Sequence, residues 1–201
     1  MFNVVLVEPE IPANTGNIGR TCVLTGARLH LVGPLGFALT DKAVQRAGLA
    51  YWDSLDVRTY ASWQEFLELN GEVRAALSSA APEGGPSVHL LTKQGSRTYA
   101  DSCYRDGDWL FFGKESSGLD AKLLITHPEL CERIPMRTDD SLENARSWQR
   151  SFSALHPELE RDICGNFVDR RVGQITSLNL SNAVAIVLFE ALRQTGFATL
   201  S

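Results

Sequence analysis

The most distinctive pattern in the chain is a polar, small-residue stretch that runs directly into an apolar one. Residues 175–182 are rich in serine, threonine and asparagine, whereas residues 183–193 are apolar on nearly every side and carry their first charge at Glu190. A helix that is apolar all round is typical of a buried position, so the pattern predicts a core helix. Serine and asparagine at its start predict a cap for the N–H groups there, and such a turn is suited to holding a ligand. Taken alone, the same pattern is more typical of a helix cap with no further role.

At the other end of the chain, the pattern predicts a strand–helix–strand unit. Residues 3–7 and 29–32 are short apolar runs of the kind that form buried strands. Two prolines after the first run predict a loop, and the helical spacing that follows it ends at Gly26. A unit of this size predicts two parallel strands joined by a crossover helix.

The same reasoning gives the remaining elements and an insertion. Charges and aromatic residues mix without a clean period over residues 139–174, where five arginines accumulate, and this segment is predicted to be an insertion before the last helix. Further helices are predicted at residues 40–48, 62–69 and around 123–125, and further strands at residues 87–92, 108–113 and 133–136.

Composition narrows the class of protein. A chain of 201 residues with 44% hydrophobic and 21% charged residues suits one globular domain. No apolar run approaches the ~20 residues that span a bilayer, and no basic segment precedes the first strand, so neither a membrane span nor a signal peptide is expected. The four cysteines and four histidines are scattered without metal-ligand spacing, which favours reduced thiols, no metal and a cytoplasmic protein. The net charge of −5 restricts any nucleic-acid site to a local basic patch.

Candidate chemistry lies at the ends of the predicted strands. Glycine or small polar residues follow three of them, after Leu91, at Gly113 and after Ile134. Ligands of open parallel sheets bind beyond the carboxyl ends of the strands, so these positions are candidates for a binding site. The chain has neither a G-x-G-x-x-G nor a P-loop motif, so dinucleotide binding and P-loop chemistry are not indicated.

Four segments together resemble the ordered motifs of the SPOUT class of RNA methyltransferases. They are residues 14–20 (Asn-Thr-Gly-Asn-Ile-Gly-Arg), 112–119 (Phe-Gly-Lys-Glu-Ser-Ser-Gly-Leu), 133–136 (Arg-Ile-Pro-Met) and 177–184 (Ser-Leu-Asn-Leu-Ser-Asn-Ala-Val). Residues 7–17 and 192–196 are most similar to the enzymes that methylate the ribose 2′-hydroxyl at the tRNA wobble position. The resemblance covers the chain except the insertion and residues 78–86.

The resemblance implies a fold and a set of partners. The expected fold is one α/β domain over residues 1–201, with an open, mostly parallel sheet, helices on both faces and a C-terminal trefoil knot. The implied methyl donor is S-adenosylmethionine, the implied substrate is tRNA methylated at nucleotide 34, and the implied assembly is a homodimer with the methyl site near the subunit boundary.

The resemblance also assigns residues by position. Arg20 matches the catalytic arginine; because a guanidinium stays protonated at neutral pH, it is expected to orient the ribose hydroxyl and stabilise negative charge, with a substrate phosphate as a candidate proton acceptor. The expected donor-binding residues are Leu91, Gly113, Ile134, Ser177, Leu178 and Asn179. The expected substrate-binding residues are Asn14, Asn17, Glu115, Ser177 and Asn179.

Two departures leave alternatives open. Thr176 stands where the wobble enzymes usually carry an arginine, and Ser117 stands where a second arginine usually precedes the glycine. Phosphate contacts dominate RNA affinity, so we hypothesise that the arginines of the insertion replace them, with a change of substrate as one consequence. The alternatives are 2′-O-methylation of another tRNA position or of ribosomal RNA, and a non-catalytic RNA-binding protein. The presence of Asn14, Arg20, Glu115 and Asn179 together weighs against the last of these.

Overall fold

The structure is a computed structural model that describes residues 1–39, 52–78, 85–136 and 177–198, together with residue 200. The helix predicted at residues 40–48 and the insertion predicted at residues 139–174 lie outside these ranges. The strands are β1 (Asn3–Val7), β2 (Arg28–Val32), β3 (Val57–Tyr60), β4 (Val88–Leu91), β5 (Arg97–Thr98), β6 (Trp109–Phe112) and β7 (Cys131–Arg133). The helices are α1 (Pro12–Thr25), α2 (Trp63–Leu69), α3 (Gly71–Ala76), α4 (Ala121–Thr126) and α5 (Leu180–Gln194).

These strands form one parallel sheet in the order β3-β2-β1-β6-β4-β7-β5. β1 lies near the middle, where Val4 is in register with Leu29 of β2 and with Leu110 of β6. Strands covered on both faces are continuous apolar runs, which is why β1 and β6 could be predicted from sequence. The expected α/β fold with a mostly parallel sheet is confirmed.

Helices cover both faces of the sheet. α1 and α5 pack on one face over a core that includes Leu6, Leu31 and Leu110. α2, α3 and α4 cover the other face, where Phe66 and Phe111 are fully buried. The site described below lies at the edge of the first of these two layers.

Local signals explain where the helices begin and end. α1 has Pro12 in its first turn and ends at Gly26, whose φ of 67° is left-handed and favours glycine. Ser62 caps α2 by accepting a hydrogen bond from the Glu65 amide, and Asp120 caps α4 in the same way. The predicted cap of the last helix is confirmed, because Asn179 Oδ1 accepts a hydrogen bond from the Ser181 amide at 2.9 Å.

Three predictions about these elements were wrong. The last strand is Cys131–Arg133 and not residues 133–136, because the charged Glu132 concealed a strand position that is fully buried. α1 begins at Pro12, so the second of the two prolines assigned to a loop lies in the first turn of the helix. α5 is not buried all round, because its 3.6-residue period turns Phe189, which is 47% exposed, away from the sheet.

Three short elements were not predicted. β3 is an edge strand whose Arg58 and Thr59 face solvent, so it lacks an apolar run. β5 is shorter still, and α3 begins at a glycine, which is a poor helix former. None of the helices formed by the described residues is both long and apolar enough to cross a bilayer.

A buried histidine stabilises the sheet near β3. His30 Nε2 lies 3.2 Å from Asn3 Oδ1, and the Tyr60 hydroxyl lies 2.8 Å from His30 Nδ1. Because Asn3 Oδ1 can only accept, Nε2 carries the proton and Nδ1 accepts from the tyrosine. Burial, aided by the nearby charges of Arg28 and Arg58, lowers the pKa of His30 to about 3, so the ring is neutral at physiological pH.

The aromatic core under α2 gives a stability prediction. Phe66 is fully buried and makes edge-on contacts with Tyr60, Trp109 and Phe111. Phe66→Ala should lower the free energy of unfolding by about 3–5 kcal/mol, since it removes buried surface and leaves a cavity. Urea denaturation measures this loss. Leu69→Ala in the same helix is the control, because Leu69 is 68% exposed and its truncation should change stability by no more than about 0.5 kcal/mol.

Candidate functional site

A cavity opens beyond the carboxyl ends of β4, β6 and β7, where ligands of parallel α/β sheets bind. It encloses about 950 Å³ of empty space, including its open mouth. Its wall consists of Asn14, Leu91, Thr92, Lys93, Phe112, Gly113, Lys114, Glu115, Ser116, Ser117, Gly118, Ile134, Met136, Ser177, Leu178, Leu180 and Ala183.

The carboxylate of Glu115 ties this wall to the start of α1. Its Oε2 accepts a hydrogen bond from the Glu10 amide at 2.8 Å, and its Oε1 accepts one from the Ile11 amide at 3.2 Å. Oε1 also accepts from Asn14 Nδ2 at 2.9 Å. These two amides directly precede Pro12, the first residue of α1, and the start of a helix carries a partial positive charge, so a carboxylate from a distant loop is well placed there.

Asn14 passes this connection on to the last helix. Asn179 Nδ2 donates to Asn14 Oδ1 at 2.9 Å, and Asn179 Oδ1 in turn accepts from the amide and the hydroxyl of Ser181. Both asparagines are buried. A continuous chain of hydrogen bonds therefore joins Glu115 in the loop after β6, Asn14 in α1 and Asn179 at the cap of α5, all beside the cavity.

Close backbone packing shapes the loop after β6. Lys114 and Gly118 exchange two backbone hydrogen bonds, from the Gly118 amide at 2.8 Å and from the Lys114 amide at 3.2 Å. A Cβ atom on Gly113 would lie 2.0 Å from the carbonyl carbon of Gly118, closer than any side chain can approach. Position 113 therefore requires glycine, and its backbone lies at the cavity wall.

Two further contacts hold the cavity rim. Lys114 Nζ lies 2.6 Å from Glu8 Oε2, and the Ser116 amide donates to Glu10 Oε2 at 2.9 Å. The hydrogen bond to the Glu8 carboxylate, together with its negative charge, stabilises the charged form of Lys114 and so raises the pKa of Lys114. The segment before α1 and the loop after β6 are thus joined in both directions, by Glu115 from one side and by Glu8 and Glu10 from the other.

Most of the residues assigned from sequence lie together at this cavity. Asn179 lies just behind the wall and bonds to Asn14. Asn17 and Arg20 are different, because both are exposed on α1 and neither is part of the wall. The assigned residues that line the cavity are Asn14, Leu91, Gly113, Glu115, Ile134, Ser177 and Leu178.

Sequence reasoning missed several members of the wall. Lys93 and Lys114 contribute two positive charges to it, and Leu180 and Ala183 contribute the first turn of α5. The signal for the lysines was their position directly after predicted strands β4 and β6, since residues there face the carboxyl edge of the sheet.

The wall combines apolar side chains, backbone groups and a few charges, which is typical of a site for a small organic ligand. Within the described part of the chain, no three histidine, cysteine, aspartate or glutamate side chains are grouped to hold a metal ion. The arrangement is suited to binding and orienting reactants.

Comparison with known proteins adds a family and relatives. A model of the SpoU rRNA Methylase family matches residues 1–145. The tRNA (cytidine(34)-2′-O)-methyltransferase of Burkholderia cenocepacia (strain HI2424) is 39% identical over 199 residues, which covers 98% of this chain and 97% of the relative.

Solved structures share the architecture. One, described as giving structural insights into the 2-OH methylation of C/U34 on tRNA, is 32% identical and has a TM-score of 0.68, covering 98% of this chain and 97% of its own. Another is the SpoU methyltransferase AviRb from Streptomyces viridochromogenes in complex with its cofactor AdoMet. It is 22% identical with a TM-score of 0.64, covers 96% of this chain and 57% of its own, and is similar in fold.

The role of the Glu115 carboxylate can be tested by stability. Glu115→Gln replaces one acceptor oxygen by an NH₂ group that faces donors, so the free energy of unfolding should fall by about 1–3 kcal/mol. Chemical denaturation measures the change. Glu129→Gln is the control, because the side chain of Glu129 is 65% exposed and makes only a long contact of 3.8 Å with His127 Nδ1 among the described residues. Equal effects of the two substitutions would contradict a bridging role for Glu115.

Proposed function

The chain belongs to the SpoU rRNA methylase family, and on that premise we propose that it methylates the ribose 2′-hydroxyl of nucleotide 34 in tRNA. One observation carries the proposal, namely that segments far apart in sequence meet at a single cavity in a chain that matches a C34 methyltransferase over nearly its whole length. The methyl donor is S-adenosylmethionine.

The cavity suits that donor. Leu91, Ile134 and Leu178 offer apolar surfaces for a flat base, and the backbone at Gly113 lies at the wall without a side chain in front of it. When bound, S-adenosylmethionine supplies a methyl group that the positive charge on its sulfur has already activated. The residues of the chain therefore contribute mainly by positioning, and aligned reactants can lower a barrier by roughly 7–11 kcal/mol.

Arg20 is the proposed catalytic residue. In the reaction a carbon–sulfur bond breaks, a carbon–oxygen bond forms and the ribose hydroxyl releases its proton. A protonated guanidinium can orient that hydroxyl and stabilise the developing negative charge, while a substrate phosphate or water takes the proton. Asn14 and Glu115 then act by holding the start of the helix that carries Arg20, through the hydrogen bonds described above.

A homodimer would complete the site. Arg20 lies on the exposed side of α1 and outside the cavity wall of its own chain. The neighbouring helix α5 exposes Phe189, and Leu24 on α1 is 71% exposed, so the two packed helices present apolar surface to solvent. Burying these side chains against a second copy would remove them from water, which favours an interface there. We propose that two copies pair through α1 and α5, which brings Arg20 of each copy to the subunit boundary.

The knot and the cellular location are also part of the proposal. The chain leaves the sheet after β7 at the cavity and returns to the same cavity at Ser177, as a knotted C-terminal half would require. We therefore retain the trefoil knot and a single domain with an insertion over residues 139–174. Cys22, Cys103 and Cys131 are free thiols, which supports action in the cytoplasm.

The family description names ribosomal RNA, so an rRNA target is the second candidate. Incubating the protein with labelled S-adenosylmethionine and either tRNA or rRNA, then mapping the methylated nucleotide, separates the two. A tRNA with 2′-deoxyribose at nucleotide 34 is the matched control and should accept no methyl group. Methylation of that control, or of rRNA alone, would contradict the proposed target.

Arg20→Ala should lower the rate of transfer by about 10²–10³-fold while the affinity for S-adenosylmethionine stays nearly constant, because the guanidinium acts on the hydroxyl and not on the donor. Single-turnover kinetics and calorimetry measure the two quantities. Arg58→Ala is the control, since Arg58 lies on the edge strand β3 and is half exposed. A large loss of donor affinity in Arg20→Ala would mean that the arginine has a different role.

Light scattering at micromolar concentration should give the mass of a dimer. Phe189→Asp should shift the protein to a monomer, because it introduces a charge into the apolar surface of α5. The monomer should also lose methyl transfer if Arg20 acts near the boundary. Leu69→Asp, which places the same charge at an exposed leucine on α2, should leave the dimer intact.

A further inference from the structure

A second buried histidine differs from His30 in its partners. His89 on β4 lies between two carboxylates, with Nδ1 2.7 Å from Glu132 Oε1 and Nε2 3.2 Å from Asp108 Oδ2. All three side chains are buried. Ionised carboxylates only accept hydrogen bonds, so both ring nitrogens must donate and the ring is an imidazolium.

The surrounding groups complete the charge balance of this cluster. Glu132 also accepts hydrogen bonds from the Tyr104 hydroxyl at 2.7 Å and from Arg97 Nη2 at 3.2 Å. Asp108 accepts from the amides of Ser87 and Arg105, both at 2.7 Å. Two carboxylates therefore face one guanidinium and one imidazolium, and the cluster is neutral only while His89 is protonated.

The cluster lies directly beneath the cavity. Side chains alternate along a strand, so His89 and Leu91 share a face of the sheet and are about 7 Å apart along β4. Leu91 and Ile134 line the cavity, and Leu91 is in register with Glu132. The His89–Glu132 hydrogen bond thus joins β4 to β7 at the point from which both strands continue into the cavity wall.

Backbone contacts connect the two strands at the same level. The Thr92 amide donates to the Glu132 carbonyl at 2.8 Å, and Arg133 Nη1 donates to the Gly95 carbonyl at 2.8 Å. A Cβ on Gly95 would lie 2.5 Å from the carbonyl carbon of Glu132, so the loop after β4 rests directly on β7. A shift of Glu132 would therefore move Thr92 and its neighbours in the wall.

We propose that His89 is a positioning residue for the methyl-donor site, whose protonated ring holds the cavity-forming ends of β4 and β7 together, so that donor affinity falls when the ring loses its proton. This inference rests on the proposed function. A neutral ring has one nitrogen without hydrogen, which would face a carboxylate oxygen and repel it. The repulsion acts on Glu132 or Asp108 and hence on the strand ends that they hold.

The electrostatics support this direction. Burial alone would lower the pKa of His89, but the hydrogen bonds and charges of Asp108 and Glu132 outweigh it and raise the pKa. The stabilisation by His89 is therefore complete below its unfolded value of about 6.5 and is lost as the pH rises through the folded value. Of the other groups around the cluster, Arg97 lies on β5, and Glu190 on α5 acts on Tyr104.

The test measures the dissociation constant of S-adenosylmethionine at about pH 6 and about pH 9 by calorimetry, in wild type and in His89→Gln. For each protein, the dissociation constant at the higher pH is divided by the constant at the lower pH, and this ratio is compared between variants. The donor's own α-amino group titrates in this window, but its effect is common to all variants and cancels when their ratios are compared. The ratio of wild type should exceed that of His89→Gln by at least about fivefold.

Two further variants complete the test. His30→Gln alters the other buried histidine, which stays neutral throughout, and should keep the wild-type ratio. His89→Leu with Glu132→Leu replaces the buried pair by apolar groups, a change that folds tolerate, and should have the low ratio of His89→Gln. This double variant decides the matter if His89→Gln does not fold.

The outcomes separate the two proposals. Equal ratios in wild type and in the His89 variants would overturn the role of His89, and so would loss of the pH dependence in His30→Gln. Absence of donor binding to wild type at both pH values would instead overturn the proposed function.

Discussion

The structure depends above all on a carboxylate that stabilises a helix start from across the fold. Glu115 accepts hydrogen bonds from the amides of Glu10 and Ile11 and from the side chain of Asn14, which accepts in turn from Asn179. Charge-assisted and amide hydrogen bonds therefore hold three segments of the chain at one place. Each of these contacts joins residues that are more than a hundred positions apart in sequence. The cavity exists where they meet, so the same contacts define the fold locally and the site.

The two buried histidines show how partners decide the state of the same side chain. His30 has a tyrosine hydroxyl and an amide oxygen as partners, and its pKa is lowered by burial and by neighbouring arginines. His89 has two carboxylates, which overcome the same burial and raise its pKa. The neutral ring serves only packing and hydrogen bonding, whereas the charged ring balances a buried cluster beneath the cavity.

Much of the architecture follows from local pattern, and the rest fails for identifiable reasons. β1 and β6 could be predicted because a strand covered on both faces has a continuous apolar run. The position of β7 could not be predicted, because a glutamate is typical of a surface position. Glu132 is buried only because it pairs with His89, which is 43 residues away in sequence. The positions at strand ends were candidates from the sequence pattern and received their roles through resemblance, but neither showed that Arg20 would lie outside the wall of the cavity. The exposed face of α5 was missed since an apolar pattern does not say whether the covering surface comes from the same chain.

The tight turn after β6 has a consequence for recognition. Its ends are closed by the paired backbone hydrogen bonds of Lys114 and Gly118, and Gly113 is packed too closely to admit even a methyl group. The conformational entropy of this turn is therefore lost when the chain folds and not when a ligand arrives. Preorganisation of this kind favours rigid inhibitors that reproduce the shape of the wall, and it leaves little room for compounds that rely on induced fit at that turn.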